Sequence, residues 1–266
     1  MLTEVHVPDD VSAAVSLIAS GATVLGGGTS VMPRLNDHAS PPTELVSLRR
    51  MGLANVGLAG STVTIGAATT LSQVEHDARL EILNPVVRSI ASVPVRSLAT
   101  VGGNLFARRP HGDLAVALVA LNARVAFVGE EGTGELPAEE FVAADRPPAL
   151  VTTVVFELPG PGAFKYVKAA RRRFNSASIV TVAATVTESD GVVSEARVAL
   201  GGIGDRVVRA YAVEEALAGR RLTDSTIQAA AQAGLGELAP ADDAYASAWY
   251  RTRVFPVHLR RALLGR

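Results

Sequence analysis

The 266-residue sequence contains no cysteine. Disulfides, thiolate zinc sites and any iron–sulfur cluster held by this chain's own thiolates are therefore excluded, as is a cysteine nucleophile. Aromatic residues make up only 5% of the chain and tryptophan occurs once, at Trp249. The packed cores must therefore be built mainly from aliphatic side chains.

An excess of charge and long apolar runs are also missing. The 25 basic and 26 acidic residues give a formal net charge of −1, and no basic stripe is present, so nucleic acid is not an expected partner. No stretch of about 18 unbroken apolar residues occurs, which predicts no membrane span. The first ten residues carry acids and a proline, so no signal peptide is predicted. We therefore expect a cytoplasmic protein.

Hydrophobic residues reach 48% and charged residues only 19%, which indicates a folded chain of two or three small domains. Strands and helices alternate between Val5 and Leu48, and Pro159-Gly160-Pro161-Gly162 is the strongest break in the chain. Between strands predicted over 124–128 and 150–158 we expect only a loop. The remaining main elements are helices over 9–19, 84–93 and 250–264, a hairpin over 56–67, and strands over 163–170, 179–187 and 192–200.

The first candidate site is Gly26-Gly27-Gly28-Thr29-Ser30, directly after a predicted strand. Glycine lets the backbone come close to a ligand, and successive N–H groups converge on an anion such as a pyrophosphate. A tight turn without a ligand is the alternative. No Gly-Lys-Ser/Thr follows, and Val31 occupies the place of the third glycine of a dinucleotide fingerprint, so neither of those nucleotide-binding motifs is present.

The second candidate site is Thr100-Val101-Gly102-Gly103-Asn104, followed by Asp113. Two glycines in a β-like context indicate close approach of the backbone to a planar or charged group. Asp113 can accept hydrogen bonds from ribose or ribityl hydroxyls. A bulge followed by a helix-capping aspartate is the alternative. Two such segments, far apart in sequence, can each hold part of one long cofactor.

At these residues the chain resembles the FAD-binding medium subunits of molybdenum hydroxylases of the carbon monoxide dehydrogenase and xanthine dehydrogenase type. The matching stretches are 25–34, 99–105, 110–113 and 168–180. The resemblance implies an α+β fold: the FAD-binding fold of the vanillyl-alcohol oxidase type with two α+β subdomains, over 1–54 and 55–160. A C-terminal α+β domain, like that of carbon monoxide dehydrogenase flavoproteins, is expected over 161–266.

The resemblance also implies FAD as the cofactor. The first segment would wrap the pyrophosphate, and the second would lie against the pyrophosphate and the flavin end. The backbone N–H groups of Gly27, Gly28, Gly103 and Asn104 are expected to bind the pyrophosphate. The implied cofactor-binding residues are Leu25, Gly26, Gly27, Gly28, Thr29, Ser30, Val31, Ala99, Thr100, Gly102, Gly103, Asn104, Ala107, Gly112, Asp113 and Lys168.

Three positions depart from the family pattern. Gly26 stands where the family often has alanine, and Ser30 and Asn175 stand where it has aspartate. Lys168 matches a lysine near the flavin, although a solvent-exposed lysine on a strand edge is the alternative from the residues alone. Arg108 and Arg109, before Pro110, form a basic pair. Three alternatives stay open for it: contact with a phosphate, contact with a partner subunit, or exposure to solvent. His111 is expected to be a loop residue.

The function implied is that of an oxidoreductase subunit active only within a complex. A large molybdopterin-binding subunit would oxidise the substrate, a small 2Fe-2S subunit would relay electrons, and FAD on this chain would pass them to NAD or a quinone, in a dimer of heterotrimers. Neither a catalytic residue nor a metal site is expected here, since the five histidines have no ligand spacing. The alternatives are a self-contained FAD-dependent oxidoreductase of the same superfold and a non-catalytic flavin-binding module. Arginines of the last helix, Arg251 among them, are expected on an exposed face or at a partner.

Overall fold

The computed structural model describes residues 2–37, 41–107, 112–144, 150–172 and 175–265. Three sheets follow one another along the chain, and each falls within one of the three predicted domains. The exact domain boundaries stay a prediction. Among the described helices, none combines the length and the hydropathy needed to cross a membrane.

The first sheet is parallel and has the strand order β1-β3-β2. Its elements are β1 (Glu4–His6), α1 (Val11–Ala19), β2 (Thr23–Leu25), α2 (Val31–Asn36) and β3 (Glu44–Ser47). The predicted first helix is confirmed: the Asp10 carboxylate caps α1 by accepting the Ala13 N–H at 2.8 Å. Ala14 and Val15 bury the inner face of α1 against a small core that also includes Leu150 of the next unit. The first unit is therefore packed onto the second.

The second sheet is antiparallel, in the order β4-β5-β8-β6-β7. Its strands are β4 (Val56–Ala59), β5 (Thr62–Gly66), β6 (Arg124–Gly129), β7 (Gly132–Pro137) and β8 (Leu150–Glu157). The helices packed with it are α3 (Leu71–His76), a 3-10 helix (Ala78–Leu83), α4 (Asn84–Arg88), α5 (Val93–Arg96), α6 (Val101–Leu105), α7 (Asp113–Ala120) and α8 (Ala138–Ala143).

Three expectations for this unit are wrong. The helix expected over 84–93 ends at Arg88, because Ala91 has a φ of 46°, in the left-handed region. The loop expected after β6 contains the edge strand β7 and the helix α8. The second glycine segment is the short helix α6 and not β-like.

The third sheet is antiparallel, in the order β12-β11-β10-β9. Its strands are β9 (Phe164–Ala170), β10 (Ser178–Ser189), β11 (Val192–Gly201) and β12 (Val208–Arg209). The helices α9 (Tyr211–Leu217), α10 (Asp224–Gly234) and α11 (Ala248–Leu264) cover it, with a 3-10 helix at Leu235–Glu237. The predicted turn between β10 and β11 is confirmed, with Asp190 and Gly191 both at positive φ.

Helix α7 joins the second and third units. All of its residues from Asp113 to Ala120 are buried, as expected of a helix that is apolar on every side. One core cluster contains α7 together with Ala183 of β10 and Ala199 of β11. The start of α7, where the predicted Asp113 stands, therefore lies at the contact between these two units.

Arg251 of α11 is a further correction, because its side chain is fully buried instead of facing solvent or a partner. Its guanidinium donates to the carbonyl oxygens of Ile179 at 2.6 Å and Gly202 at 2.7 Å. It also pairs with Asp243 at 2.7 Å. Arg251 is thus a structural residue of the C-terminal unit.

Candidate cofactor site

The two glycine segments touch each other. A Cβ atom built on Gly27 would lie 1.6 Å from the carbonyl oxygen of Leu98, so only glycine fits at this contact. A Cβ on Gly26, and equally one on Gly103, would lie 3.0 Å from the Thr100 Oγ1. The Thr100 hydroxyl is therefore flanked by glycines of both segments. Two segments that are distant in sequence are therefore in contact in the fold.

The first segment leaves backbone donors available. Gly28 has a φ of +74°, and its carbonyl oxygen accepts the N–H groups of Val31 and Met32 at 3.1 and 2.8 Å, which starts α2. Within the described part of the chain, no backbone hydrogen bond uses the N–H groups of Gly27, Gly28 or Thr29. Three successive amides beside a glycine-lined surface are suited to an anion.

The backbone N–H groups of the second segment already donate to acceptors within the protein. Thr100 caps α6: its Oγ1 accepts the Gly103 N–H at 3.1 Å, and its carbonyl accepts the Asn104 N–H at 3.0 Å. The N–H groups of Val101 and Gly102 donate to carbonyls of residues 69 and 67. This differs from the expectation that the Gly103 and Asn104 N–H groups bind the pyrophosphate. The segment offers instead the bare surface of Gly103 and the Asn104 side chain.

Asn104 carries a buried acceptor that needs a donor. Its Oδ1 is inaccessible to solvent and has no hydrogen-bond partner among the described residues. An unsatisfied buried polar atom destabilises a fold by roughly 1–3 kcal/mol, so a ligand that donates to it fits here. The Asn104 backbone carbonyl accepts the Ala107 N–H at 3.1 Å. Gly112, with a φ of +94°, packs close to the carbonyl oxygens of both residues. Ala107, Gly112 and Asn104 thus form one corner.

Asp113 and Lys168 lie together and are buried, with side chains 6% and 7% exposed. Lys168 Nζ donates to Asp113 Oδ2 at 2.8 Å, and the Thr181 hydroxyl donates to Asp113 Oδ1 at 2.7 Å. Lys168 also donates to the Ser89 carbonyl at 2.9 Å. Two alternatives raised by the sequence are therefore wrong. Gly112 is the N-cap of α7, so the Asp113 side chain does not cap this helix. The Lys168 side chain is buried and not exposed to solvent.

Tyr166 belongs to the same cluster and was not predicted. Its hydroxyl lies 2.8 Å from the Ser89 Oγ. Burial, and secondarily the Asp113 carboxylate, raises the pKa of Tyr166 well above its ordinary value, against the opposing effect of the Ser89 hydrogen bond. The phenol therefore stays protonated. Tyr166 and Lys168 are two residues apart on β9 and share a face, which is the one sequence signal that links them.

Large apolar side chains are exposed around the glycine segments. Met32, Leu98 and Phe106 are 50%, 58% and 46% exposed. Leu98 carries the carbonyl that touches Gly27, and Met32 lies beside Gly28. An apolar rim around a polar, glycine-lined surface is suited to covering by an aromatic ring system or by another protein.

Some predicted positions fall outside the described residues, namely Arg108, Arg109, Pro110 and His111. Two residues of the 168–180 stretch, Arg173 and Phe174, also lie outside them. In the described part of the chain, no group of three or more histidine, aspartate or glutamate side chains is arranged to hold a metal ion.

Two family models match the chain almost end to end. Residues 2–156 match the FAD binding domain in molybdopterin dehydrogenase. Residues 165–265 match the CO dehydrogenase flavoprotein C-terminal domain. The first match alone covers more than half of the chain.

Individual relatives agree with these models. The chain is 32% identical to the 6-hydroxypseudooxynicotine dehydrogenase complex subunit alpha of Paenarthrobacter nicotinovorans, covering 97% of this chain and 92% of that one. It is 29% identical to the carbon monoxide dehydrogenase medium chain of Hydrogenophaga pseudoflava, covering 98% and 95%. Among solved structures, the reconstituted CO dehydrogenase from Oligotropha carboxidovorans superposes with a TM-score of 0.93 at 27% identity, covering 99% of this chain and 97% of that one. The predicted α+β fold with a C-terminal domain of the flavoprotein type is confirmed.

Proposed function

This chain belongs to the family of FAD-binding medium subunits of molybdenum hydroxylases, and we propose that it is the subunit through which electrons leave such a complex. Its cofactor is FAD, and it is an oxidoreductase subunit. Bound FAD supplies the ability to take up electrons singly and to release them as a pair. The protein's own residues then bind the cofactor, orient it and shield it from water.

The contact between the two glycine segments is the observation that carries the proposal. The amides of Gly27, Gly28 and Thr29 have no backbone acceptor among the described residues and bind the pyrophosphate. Each such charge-assisted hydrogen bond contributes roughly 1.5–3 kcal/mol. On the other side of the Thr100 hydroxyl, Gly103 keeps the surface open to the cofactor.

The second segment supplies specificity for the cofactor through Asn104. The buried Oδ1 of Asn104 accepts a hydrogen bond from the cofactor, which removes its unsatisfied state. Leu25, Ser30, Val31 and Ala99 are proposed to complete the two walls. Gly102 is buried, and a Cβ added to it would lie 2.8 Å from the Ala67 Cβ. The role of Ala107 and Gly112 is to hold the corner behind Asn104.

The partners are proposed to be a large molybdopterin-binding subunit and a small 2Fe-2S subunit, assembled as a dimer of heterotrimers in the cytoplasm. The sequence supports this division, because a chain without cysteine holds no thiolate-ligated cluster. Relatives carry names such as medium chain and complex subunit, which place them in assemblies of several chains. Electrons then enter from the partner's clusters and leave to NAD or a quinone.

FAD uptake and co-purification test the proposal. The full-length chain, purified after expression alone, should be yellow and bind one FAD, and a tagged chain from its native cells should retain a molybdenum subunit and an iron–sulfur subunit. A protein that takes up no FAD would contradict the cofactor site. Turnover of an organic donor by the chain alone would favour a self-contained flavoenzyme, and FAD binding with no partner and no electron transfer would favour a binding module.

The acceptor is tested on the purified complex. With substrate present and oxygen excluded, the bleached flavin absorbance should return on addition of either NAD or a soluble quinone. If the flavin absorbance recovered neither after addition of NAD nor after addition of the quinone, the proposed outward electron transfer would be contradicted.

A further inference from the structure

We infer that the exposed face of α11 is a docking surface for the large subunit of the proposed complex, which meets it with apolar side chains and carboxylates. The inference deepens the proposed function and rests on it, because the occupant is one of the proposed partners. The α11 face is defined by the six exposed residues of this helix, namely Trp249, Tyr250, Arg253, Val257, Arg260 and Arg261.

The α11 face combines large apolar side chains with positive charge. Trp249, Tyr250 and Val257 are 68%, 44% and 47% exposed, and Trp249 is the only tryptophan of the chain. The other three members are arginines, and α11 contains neither aspartate nor glutamate. A helix face turned to solvent ordinarily carries charged and polar residues. Tryptophan, tyrosine and arginine are instead the residues enriched at the centres of protein interfaces.

Two of these arginines have no carboxylate partner within the chain. Arg260 pairs with Asp224 of α10. Arg253 lies over the Trp249 ring, 5.5 Å from its centroid, and neither Arg253 nor Arg261 forms an ion pair with a described residue. An occupant with carboxylates opposite these arginines is therefore electrostatically complementary. A second copy of this chain packed by the same face is not, because it would bring arginines against arginines.

The position of α11 decides between the two proposed partners. Ala183 of β10 belongs to the core cluster that contains α7, whereas its neighbours Val182 and Ala184 belong to the cluster that contains α11. Successive residues of a strand point to opposite faces of the sheet, so α7 and α11 cover opposite faces. The small 2Fe-2S subunit must approach the flavin to deliver electrons, which places it near the glycine segments. The outer face of α11 is then left to the large subunit.

The first test measures the stability of the complex. Trp249→Ala and Arg253→Glu are introduced into the tagged full-length chain, and each complex is purified from the native cells. Leu58→Ala, on the edge strand β4, is the matched control, because Leu58 is also an exposed apolar residue, at 40%. Mass photometry over a dilution series gives the concentration at which half of the large subunit has dissociated.

This half-dissociation concentration should rise at least about thirty-fold in Trp249→Ala and in Arg253→Glu, the effect of losing one interface hot spot. It should be unchanged in Leu58→Ala. Added salt should weaken the wild-type complex more than that of Arg253→Glu, because only the wild type has the attraction that salt screens. The FAD content per chain should match wild type in all three variants, since the α11 face lies away from the FAD site.

The second test identifies the occupant. The chain contains only two lysines, Lys165 and Lys168, so Arg253→Lys adds a reactive amine against little background while it keeps the positive charge. A carbodiimide joins an amine to a carboxylate in direct contact with it. Mass spectrometry of the treated complex should show position 253 linked to an aspartate or glutamate of the large subunit. The wild-type complex, with arginine at this position, should lack that cross-link.

Three results would overturn the inference. One is a complex as stable in Trp249→Ala and Arg253→Glu as in wild type. Another is a cross-link from position 253 to the small subunit or to a second copy of this chain, which would assign the face to that occupant. The third is an unchanged complex together with lost binding of Trp249→Ala to vesicles of anionic phospholipid, which would make the face a membrane contact.

Failure of the inference is distinguishable from failure of the proposed function. If the wild-type chain were purified from its native cells without a molybdenum subunit, the proposed function would be contradicted, and this inference with it. If all variants retained the molybdenum subunit as firmly as wild type, the inference alone would be wrong.

Discussion

Replacing Gly27 with alanine perturbs the point at which the two glycine segments meet. The new Cβ would lie 1.6 Å from the Leu98 carbonyl oxygen, whereas ordinary contact begins at 3.4 Å, so the segments must separate by about 1.8 Å. Overpacking of this kind destabilises by roughly 1–3 kcal/mol, which lowers the melting temperature by about 3–10 °C in a chain of this size. A shift of that size also breaks hydrogen bonds of ordinary length between a bound phosphate and the first segment.

The loss of one or two charge-assisted hydrogen bonds predicts FAD affinity at least about ten-fold weaker for Gly27→Ala. The assay is titration of FAD into the apoprotein with flavin fluorescence as the signal. Gly160→Ala is the matched control, because a Cβ there meets nothing within 4 Å. Wild-type affinity in folded Gly27→Ala would refute the reasoning.

Gly103→Val is expected to abolish FAD retention, because Gly103 is exposed and the isopropyl group of the valine would occupy the surface beside the first segment. A flavin content equal to that of wild type would count against a role of the second segment in FAD binding. Arg251→Ala should lower the melting temperature by roughly 10 °C, since it leaves a paired carboxylate and buried carbonyls without their donor. Burial alone would raise the pKa of Asp243, but hydrogen bonds from two backbone N–H groups and from Arg251 lower it below its ordinary value. A carboxyl group with a lowered folded-state pKa stabilises the protein above its unfolded-state pKa and loses that contribution as the pH falls through the folded value. Stability measured by denaturant titration should therefore fall more steeply below about pH 4 in wild type than in Asp243→Asn.

Much of the fold is predictable because its elements carry strong local signals. Alternating β-branched residues and a tight turn specify the β4–β5 hairpin, and Asp190-Gly191 specifies the turn between β10 and β11. The predicted helix over 250–264 is confirmed as α11, which begins two residues earlier at Ala248. In these places local preference and tertiary packing point to the same structure.

The elements that were missed depend on contacts distant in sequence. Helix α6 contains two glycines and has weak intrinsic helical preference. It forms because Thr100 caps it and because the first N–H groups donate to carbonyls at residues 67 and 69. β7 is an edge strand without apolar alternation, and only its pairing with β6 defines it. The break at Ala91 is held by Arg96, which donates to the Ile90 carbonyl at 3.1 Å.

The candidate site likewise contains residues with a local sequence signal and residues whose contacts depend on the tertiary fold. Glycine at positions 26–28 and 102–103 is a local signal: close contacts exclude a side chain at Gly27 and Gly102, and Gly28 has a positive φ. The pairing of Asp113 with Lys168 has no local signal, since it depends on how β9 is placed against α7. Sequence reasoning therefore located both residues but not their contact with each other.

A crystal structure of the chain with FAD tests the central claim most directly. The account predicts pyrophosphate oxygens within about 3.2 Å of the amide nitrogens of Gly27, Gly28 and Thr29, and a cofactor donor on the Asn104 Oδ1. FAD whose phosphates lie elsewhere, with these amides facing water, would contradict it.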